Sequence, residues 1–180
     1  MKPFPRISPQ GPVAEADRVS AIDFVNRVNW WFETWDVESM IDAFTPDAVA
    51  FHFHGTIRNH AGIRHFFEHD YPYLIAGVAR VAGNHIVDND GDGVVVRYQN
   101  LLVRYVEPEG ARALGAGQMV ERQNGLPGIW LYSPMMDRLR RTADGWKIHE
   151  RYIGGTTTNA LLSPADHSAA AAAPFLPELG

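Results

Sequence analysis

Glu33, His52 and His54 are the residues whose types and spacing suit proton-transfer chemistry. A carboxylate and an imidazole held around one substrate can remove a proton from carbon and assist a leaving or rearranging group. Imidazole fits this work because its ordinary pKa lies near physiological pH. His52 and His54 stand two residues apart, so on a strand both project from the same side. A His-x-His pair on a strand also suggests a metal site, which would want a glutamate a few residues later. Arg58 stands there instead, and the neutral ligands fall short of the three usual for catalytic zinc. No metal and no other cofactor is expected.

The stretch from Phe24 to Gly55 must position these groups. Phe24, Val28, Trp31 and Trp35 recur at i, i+4, i+7 and i+11, which predicts a helix from about Glu15 to Trp35. Asp36 is placed to cap a second helix over Val37 to Phe44, buried through Met40, Ile41 and Phe44. The period then changes to two. Over Ala48 to His54, Val49, Phe51 and Phe53 face one side, and Ala50, His52 and His54 the other. A helix carrying Glu33 among three tryptophans thus runs into a strand carrying two histidines.

Beyond this stretch, Asn59 is placed to cap a third helix using Ile63, Phe66 and Phe67, which Pro72 ends or kinks. Strands are predicted over Ala79 to Asp88, Val94 to Val106, Ile129 to Arg141 and Trp146 to Ile153. Asn89 to Gly93 is a strong turn signal between the first two. Val94, Val96, Tyr98, Asn100 and Leu102 share one side of the longest strand. On the last strand, alternation puts Trp146, Ile148, Glu150 and Tyr152 inward and Lys147, His149 and Arg151 on the wet face. His85 and His149 face away from the pocket by parity; His60, His65, His69 and His167 read as surface residues.

Helices followed by long strands predict an α+β fold. The expected form is a curved antiparallel sheet wrapped around a long N-terminal helix, a cone-shaped α+β barrel with a pocket inside. Residues 1–15 read as an irregular arm, 16–155 as the domain and 156–180 as a C-terminal tail. The glycine-rich loop from Glu107 to Gly128 and the tail after Gly154 either cover the pocket mouth or serve as an oligomer contact or disordered chain. Leu161, Leu162, Phe175 and Leu176 are apolar residues an idle tail would not need.

The 180 residues are 46% hydrophobic and 21% charged, ordinary for one globular domain. A formal net charge of -5 argues against nucleic acid as partner. Without cysteine there is neither disulfide nor thiolate chemistry. The start, MKPFPRISPQGP, lacks the apolar run of a signal peptide, and no stretch has the length of a membrane span. A cytoplasmic protein without a membrane partner is expected.

The order of elements resembles the SnoaL-like, nuclear-transport-factor-two-like superfamily. FTPDAV after the second helix, DGDG before the long strand and DGWKI at the last turn carry that resemblance, which covers Ser20 to Gly155. It implies a fold that hosts dehydratases, isomerases, polyketide cyclases, epoxide hydrolases and non-catalytic subunits. By the resemblance, Glu33 falls where scytalone-dehydratase-like and dehydrochlorinase-like members carry a helix-borne aspartate. His52 falls where ketosteroid-isomerase-like members carry their base. Tyr98, Asn100 and Tyr152 take the places of the arginine–aspartate network of epoxide-hydrolase-like members, so epoxide hydrolysis is not expected. Arg80 stands where dehydratase-like members have a catalytic histidine; it cannot act as a base, but it can bind a phenolate or carboxylate.

Glu33, His52 and Arg80 are therefore the expected catalytic residues. Trp30, His54, Tyr98, Asn100, Trp130, Tyr132, Glu150 and Tyr152 are the expected substrate contacts, and their aromatic character points to a flat aromatic or polycyclic substrate. Three readings stay open. The first is a cofactor-independent lyase or isomerase performing dehydration, cyclisation or release of a fragment such as formaldehyde from an aryl propanediol. The second is a ligand-binding or accessory subunit, and the third a metal-dependent enzyme using His52 and His54. The superfamily commonly pairs through the outer face of its sheet, here including Arg97, Gln99, Val103 and Tyr105, which implies a homodimer.

Overall fold

The computed structural model describes residues 4–6, 11–107 and 125–166. The first helix, α1 (Glu15–Thr34), buries Ala21, Val25, Val28, Asn29 and Phe32. Ala21, Val25, Val28 and Phe32 repeat the i, i+4, i+7, i+11 spacing of the expected stripe one row over; Val28 belongs to both rows, and Trp35 is buried as expected. Phe24 and Trp31 are only partly buried at the edge of the core. Two neighbouring apolar rows satisfy the same period, and packing decides between them. Asp36 caps α2 (Val37–Asp42) as expected, accepting the Ser39 N–H at 3.0 Å.

The first strand, β1 (Phe44–His52), begins earlier than alternation suggests, because FTPDAV is itself strand. Pro46 is accommodated where the pairing register breaks, between Phe44 and Val49. A short edge strand, β2 (Gly55–Arg58), leads into α3 (Asn59–His65), and the Asn59 side chain accepts the Gly62 N–H at 3.1 Å. The helix then widens into one π-helical turn (Phe66–Asp70) and a 3-10 turn (Pro72–Leu74). β3 (Val78–Asn89), β4 (Gly93–Arg104), β5 (Gly128–Thr142) and β6 (Gly145–Ile153) follow, close to their expected bounds. A two-residue strand, β7 (Thr157–Thr158), pairs with Leu131 and Tyr132 of β5.

The sheet order is β2-β1-β6-β5-β4-β3. β3 to β6 form an antiparallel meander, whereas β1 lies parallel to β6. The α+β expectation holds, with the sheet mixed rather than antiparallel throughout and open at β2 and β3 rather than closed into a barrel. A parallel pair requires a long crossover, and the chain between β1 and β6 supplies one through α3 and the whole meander.

α1 packs on the inner face of the sheet, where Val25, Val28 and Phe32 meet Val94, Val96, Tyr98, Met135, Leu139 and Ile148. The outer face carries a smaller cluster of Val95, Met136 and Tyr152, against which Phe4 and Phe51 pack. One irregularity controls which β6 residues face inward. Leu139 pairs with Ile148 but Arg138 with Glu150, so His149 is an extra, bulged residue. Ile148 and Arg151 consequently share the inner side, while Glu150 and Tyr152 turn outward. The expected parity of β6 is reversed beyond His149.

Among the described residues no helix is long and apolar enough to cross a membrane. Most of the Glu107 to Gly128 loop and the tail beyond residue 166, with His167, Phe175 and Leu176, lie outside the described residues.

Candidate active site

Five strands each send one polar side chain into a pocket on the inner face. These are His52 from β1, Arg80 from β3, Asn100 from β4, Ser133 from β5 and Arg151 from β6. α1 adds Asn29 and Phe32, and the segment after α3 adds Phe66, Phe67, Tyr71 and Leu74. The rings meet edge to face, Phe32 lying 5.2 Å from Phe67 and 5.4 Å from Tyr71 between centres. The π turn matters here, because it brings Phe66 and Phe67 into burial together.

His52 is 7% exposed. Burial, aided by the nearby charges of His54 and Arg151, pushes its pKa down to about 3, so the ring is neutral at physiological pH. Its Nδ1 accepts the backbone N–H of His54 at 3.2 Å. In a neutral imidazole the other nitrogen then carries the proton, which makes Nε2 a donor.

Arg80 is likewise 7% exposed. Its Nη2 donates to the Tyr71 hydroxyl at 3.1 Å and to the Leu74 carbonyl at 3.3 Å. The guanidinium lies 5.2 Å from the centre of the Phe32 ring and 5.5 Å from that of Tyr71. Among the described residues Nη1 has no hydrogen-bond partner, although it is buried. Asn100 is similar, its Nδ2 meeting only the Met135 sulfur at 3.5 Å and its Oδ1 buried and unpartnered.

Glu33 does not line the pocket. Its Oε1 accepts the backbone N–H of Arg80 at 2.6 Å, on the side of β3 that has no neighbouring strand. Burial raises its pKa, opposed by that hydrogen bond and the Arg80 charge.

Asp137, fully buried, anchors the floor. Arg151 donates Nε to its Oδ1 at 2.7 Å and Nη2 to its Oδ2 at 2.8 Å, and the Tyr98 hydroxyl donates to Oδ2 at 3.0 Å. Burial lifts the Tyr98 pKa well above its ordinary value. Burial also disfavours the charge of Arg151, but Asp137 outweighs it, and the guanidinium stays protonated.

Of the expected catalytic residues, His52 and Arg80 line the pocket and Glu33 does not. Of the expected substrate contacts, only Asn100 does. Trp30 is 62% exposed on the far side of α1, and His54 is exposed in the turn after β1. Tyr98 is spent on Asp137. Trp130 belongs to another cluster, with Arg104 stacked 4.4 Å above its ring. Tyr132 is half-exposed beside β7. Glu150 and Tyr152 lie on the outer face, joined by a 2.7 Å hydrogen bond, with Arg138 donating to Glu150 at 3.2 Å. Asn29, Tyr71, Ser133 and Arg151 line the pocket without being among the expected residues. The row Ala21, Val25, Val28, Phe32 carries the signal for Asn29, and the parity of Ser133 with Met135 carries that for Ser133. Among the described residues no group of three or more His, Cys, Asp or Glu side chains is arranged to hold a metal ion.

A family model for the SnoaL-like domain matches residues 14–152. The chain belongs to the SnoaL-like family. This family includes small-molecule isomerases, dehydratases and cyclases. No curated protein matches this SnoaL-like sequence. Solved structures do resemble it. A Nostoc punctiforme protein of unknown function with a cystatin-like fold is 17% identical, covering 83% of this chain and 98% of its own, with a TM-score of 0.63. An NTF2-like protein from Novosphingobium aromaticivorans is 19% identical, covering 91% and 90%, with a TM-score of 0.61. A protein of the same organism, named as a candidate scytalone dehydratase, is 15% identical, covering 82% and 91%, with a TM-score of 0.59. At these identities the likeness is one of fold.

Proposed function

We propose that this SnoaL-like protein is an acid–base lyase or isomerase, independent of cofactor, acting on a small aromatic or polycyclic molecule. The observation that carries this reading is a buried, neutral His52 in the same aromatic-lined cavity as Arg80. The likeness to a candidate scytalone dehydratase supports it at the level of fold.

His52 is the proton-transfer group. Among the described residues no aspartate or glutamate lines the pocket, and His52 is its one imidazole. For Nε2 to accept a proton from substrate carbon, the ring's own proton must move to Nδ1. That shift breaks the hydrogen bond from His54, at 3.2 Å a long one. Negative charge left on a substrate oxygen is held by the guanidinium of Arg80, and the imidazolium beside it is stabilised in turn. Return of the proton to a second carbon completes an isomerisation. Its transfer to a departing hydroxyl completes a dehydration with release of water. Glu33 serves by positioning Arg80 through the backbone.

The test is turnover of enolisable phenols and polycyclic ketones, followed by absorbance, with His52→Gln beside the wild type. Loss of about 100-fold or more in kcat/KM with binding retained is expected. Turnover that survives the substitution rejects the reading. The lack of a lining carboxylate among the described residues favours one alternative, a pocket that binds without chemistry. That alternative predicts tight binding and no turnover by either protein. The proposal extends to a homodimer formed through the outer face of the sheet.

A further inference from the structure

Among the described residues, two buried polar atoms in the pocket have no hydrogen-bond partner, and they are of opposite kind. Arg80 Nη1 is a charged donor and Asn100 Oδ1 is an acceptor. Their side chains are 7% and 6% exposed, and both line the cavity. Arg80 pairs with Leu102 and Ala82 with Asn100 across β3 and β4. Arg80 and Asn100 are thus diagonal neighbours on one face, with about 7–8 Å between them at the backbone. Ser133 stands directly across from Asn100 on β5.

Resting on the reading of this pocket as the substrate site, we infer that the substrate is an aromatic monoanion, its ionised oxygen meeting Arg80 Nη1 and a separate hydroxyl or N–H donating to Asn100 Oδ1. The surrounding charges support the sign. Both oxygens of Asp137 are taken by Arg151 and Tyr98. Glu33 engages the backbone of Arg80 rather than its guanidinium. The charge of Arg151 is matched by Asp137, whereas Arg80 faces the cavity with an open donor. Leaving a buried guanidinium N–H unmet is costly, and an anion both fills the position and cancels the charge. A neutral carbonyl does only the first, and a cation is repelled. The acceptor at Asn100 adds the second half of the specificity, because another oxyanion there would face a lone pair. That disfavours a substrate that enters as a dianion. Phe32, Phe66, Phe67 and Tyr71 supply flat apolar walls for the ring between the two groups.

Calorimetric titration of the wild-type protein at pH 8 with simple probes tests this without any variant. 3-Hydroxybenzoate is expected to bind at least about tenfold more tightly than 3-hydroxybenzamide, and also more tightly than benzoate or isophthalate. 4-Nitrophenolate against 4-nitroanisole decides whether a phenolate serves as well as a carboxylate. In Arg80→Gln the preference for the anion disappears, and in Asn100→Leu the advantage over benzoate disappears. Equal binding of acid and amide, or no binding by any probe at millimolar concentration, overturns the inference. Anion preference without His52-dependent turnover upholds it while rejecting catalysis. His52-dependent turnover of a neutral aromatic, with no anion preference, does the reverse.

Discussion

Glu33 Oε1 accepts the main-chain N–H of Arg80 at 2.6 Å, across 47 positions of the chain. The contact fastens the last turns of α1 to the free edge of β3, and so places Arg80 over the pocket. A base would need its carboxylate free to reach substrate. A positioning residue needs only an acceptor oxygen, which glutamine also has. Glu33→Gln is therefore expected to keep turnover within a few-fold, whereas Glu33→Ala loses about 1–3 kcal/mol of stability with its acceptor. Steady-state kinetics and denaturant unfolding check both. Abolished turnover in Glu33→Gln with unchanged stability would return the catalytic role to the carboxylate.

His52 makes stability depend on pH. Its folded pKa, about 3, lies below its ordinary 6.5. Between these values the unfolded chain binds a proton that the folded protein refuses. Stability therefore falls as pH drops from 6.5 toward 3, by up to roughly 5 kcal/mol if the whole shift is realised. His52→Phe removes this slope. Unfolding free energies at pH 7 and pH 4.5 for both proteins measure the difference. Parallel pH profiles would show that His52 is not buried neutral.

The Asp137–Arg151 pair exists because His149 bulges. Arg151→Met leaves the fully buried Asp137 carboxylate without its bidentate donor, at an expected cost of about 3–5 kcal/mol. Removing both charges, in Arg151→Met with Asp137→Leu, is expected to cost less than the single change. A double variant no more stable than Arg151→Met alone would mean that the pair contributes more than its desolvation costs.

That bulge also marks where the sequence stops being legible. Strand bounds were readable because turn residues such as Asn89 to Gly93 and Thr142 to Gly145 stand at their ends. The inward set of β6 was not, since one extra residue leaves alternation intact on either side and changes only its phase. Arg151 thus looked wet and Glu150 inward. On α1 two adjacent rows have equal period, so the sequence does not single out Val25 and Phe32 over Phe24 and Trp31, and Glu33 stands out through the resemblance alone. The parallel pairing of β1 with β6 leaves no local signal, because it joins segments about a hundred residues apart. His52 and Asn100 are legible because alternation runs unbroken around each, and Arg80 through its place in the family resemblance.

The outer face predicts assembly. Val81, Leu101 and Tyr132 form one cross-strand row, and Val103 and Ile129 lie across from each other in the next. Val81, Ile129 and Tyr132 are exposed. Light scattering at micromolar concentration is expected to give twice the 20.1 kDa chain mass. Ile129→Glu with Tyr132→Glu is expected to give the single chain mass. A monomeric wild type rejects the dimer.

The chain beyond β6 is tied to the wall of the pocket. Asn159 N–H donates to the Trp130 carbonyl at 2.7 Å, and the Trp130 indole donates to Ser163 Oγ at 3.0 Å. Arg104, 1% exposed, donates Nε to the Leu162 carbonyl at 2.8 Å while stacking on Trp130. Leu162 packs on the cluster of Leu74, Leu102, Trp130 and Leu131, three of which line the pocket. Truncation after Thr158 takes away that carbonyl, the hydroxyl and the leucine together. Loss of acceptors beside a buried arginine is expected to cost about 1–3 kcal/mol. Loosening of Leu102 and Leu131 is expected to weaken ligand binding as well. Leu161→Ala, at a side chain 93% exposed, is the control and is expected to change neither. Denaturant unfolding and calorimetric titration of 3-hydroxybenzoate read the two effects separately. A truncated protein with unaltered stability and affinity would show that the tail neither braces the pocket nor covers it.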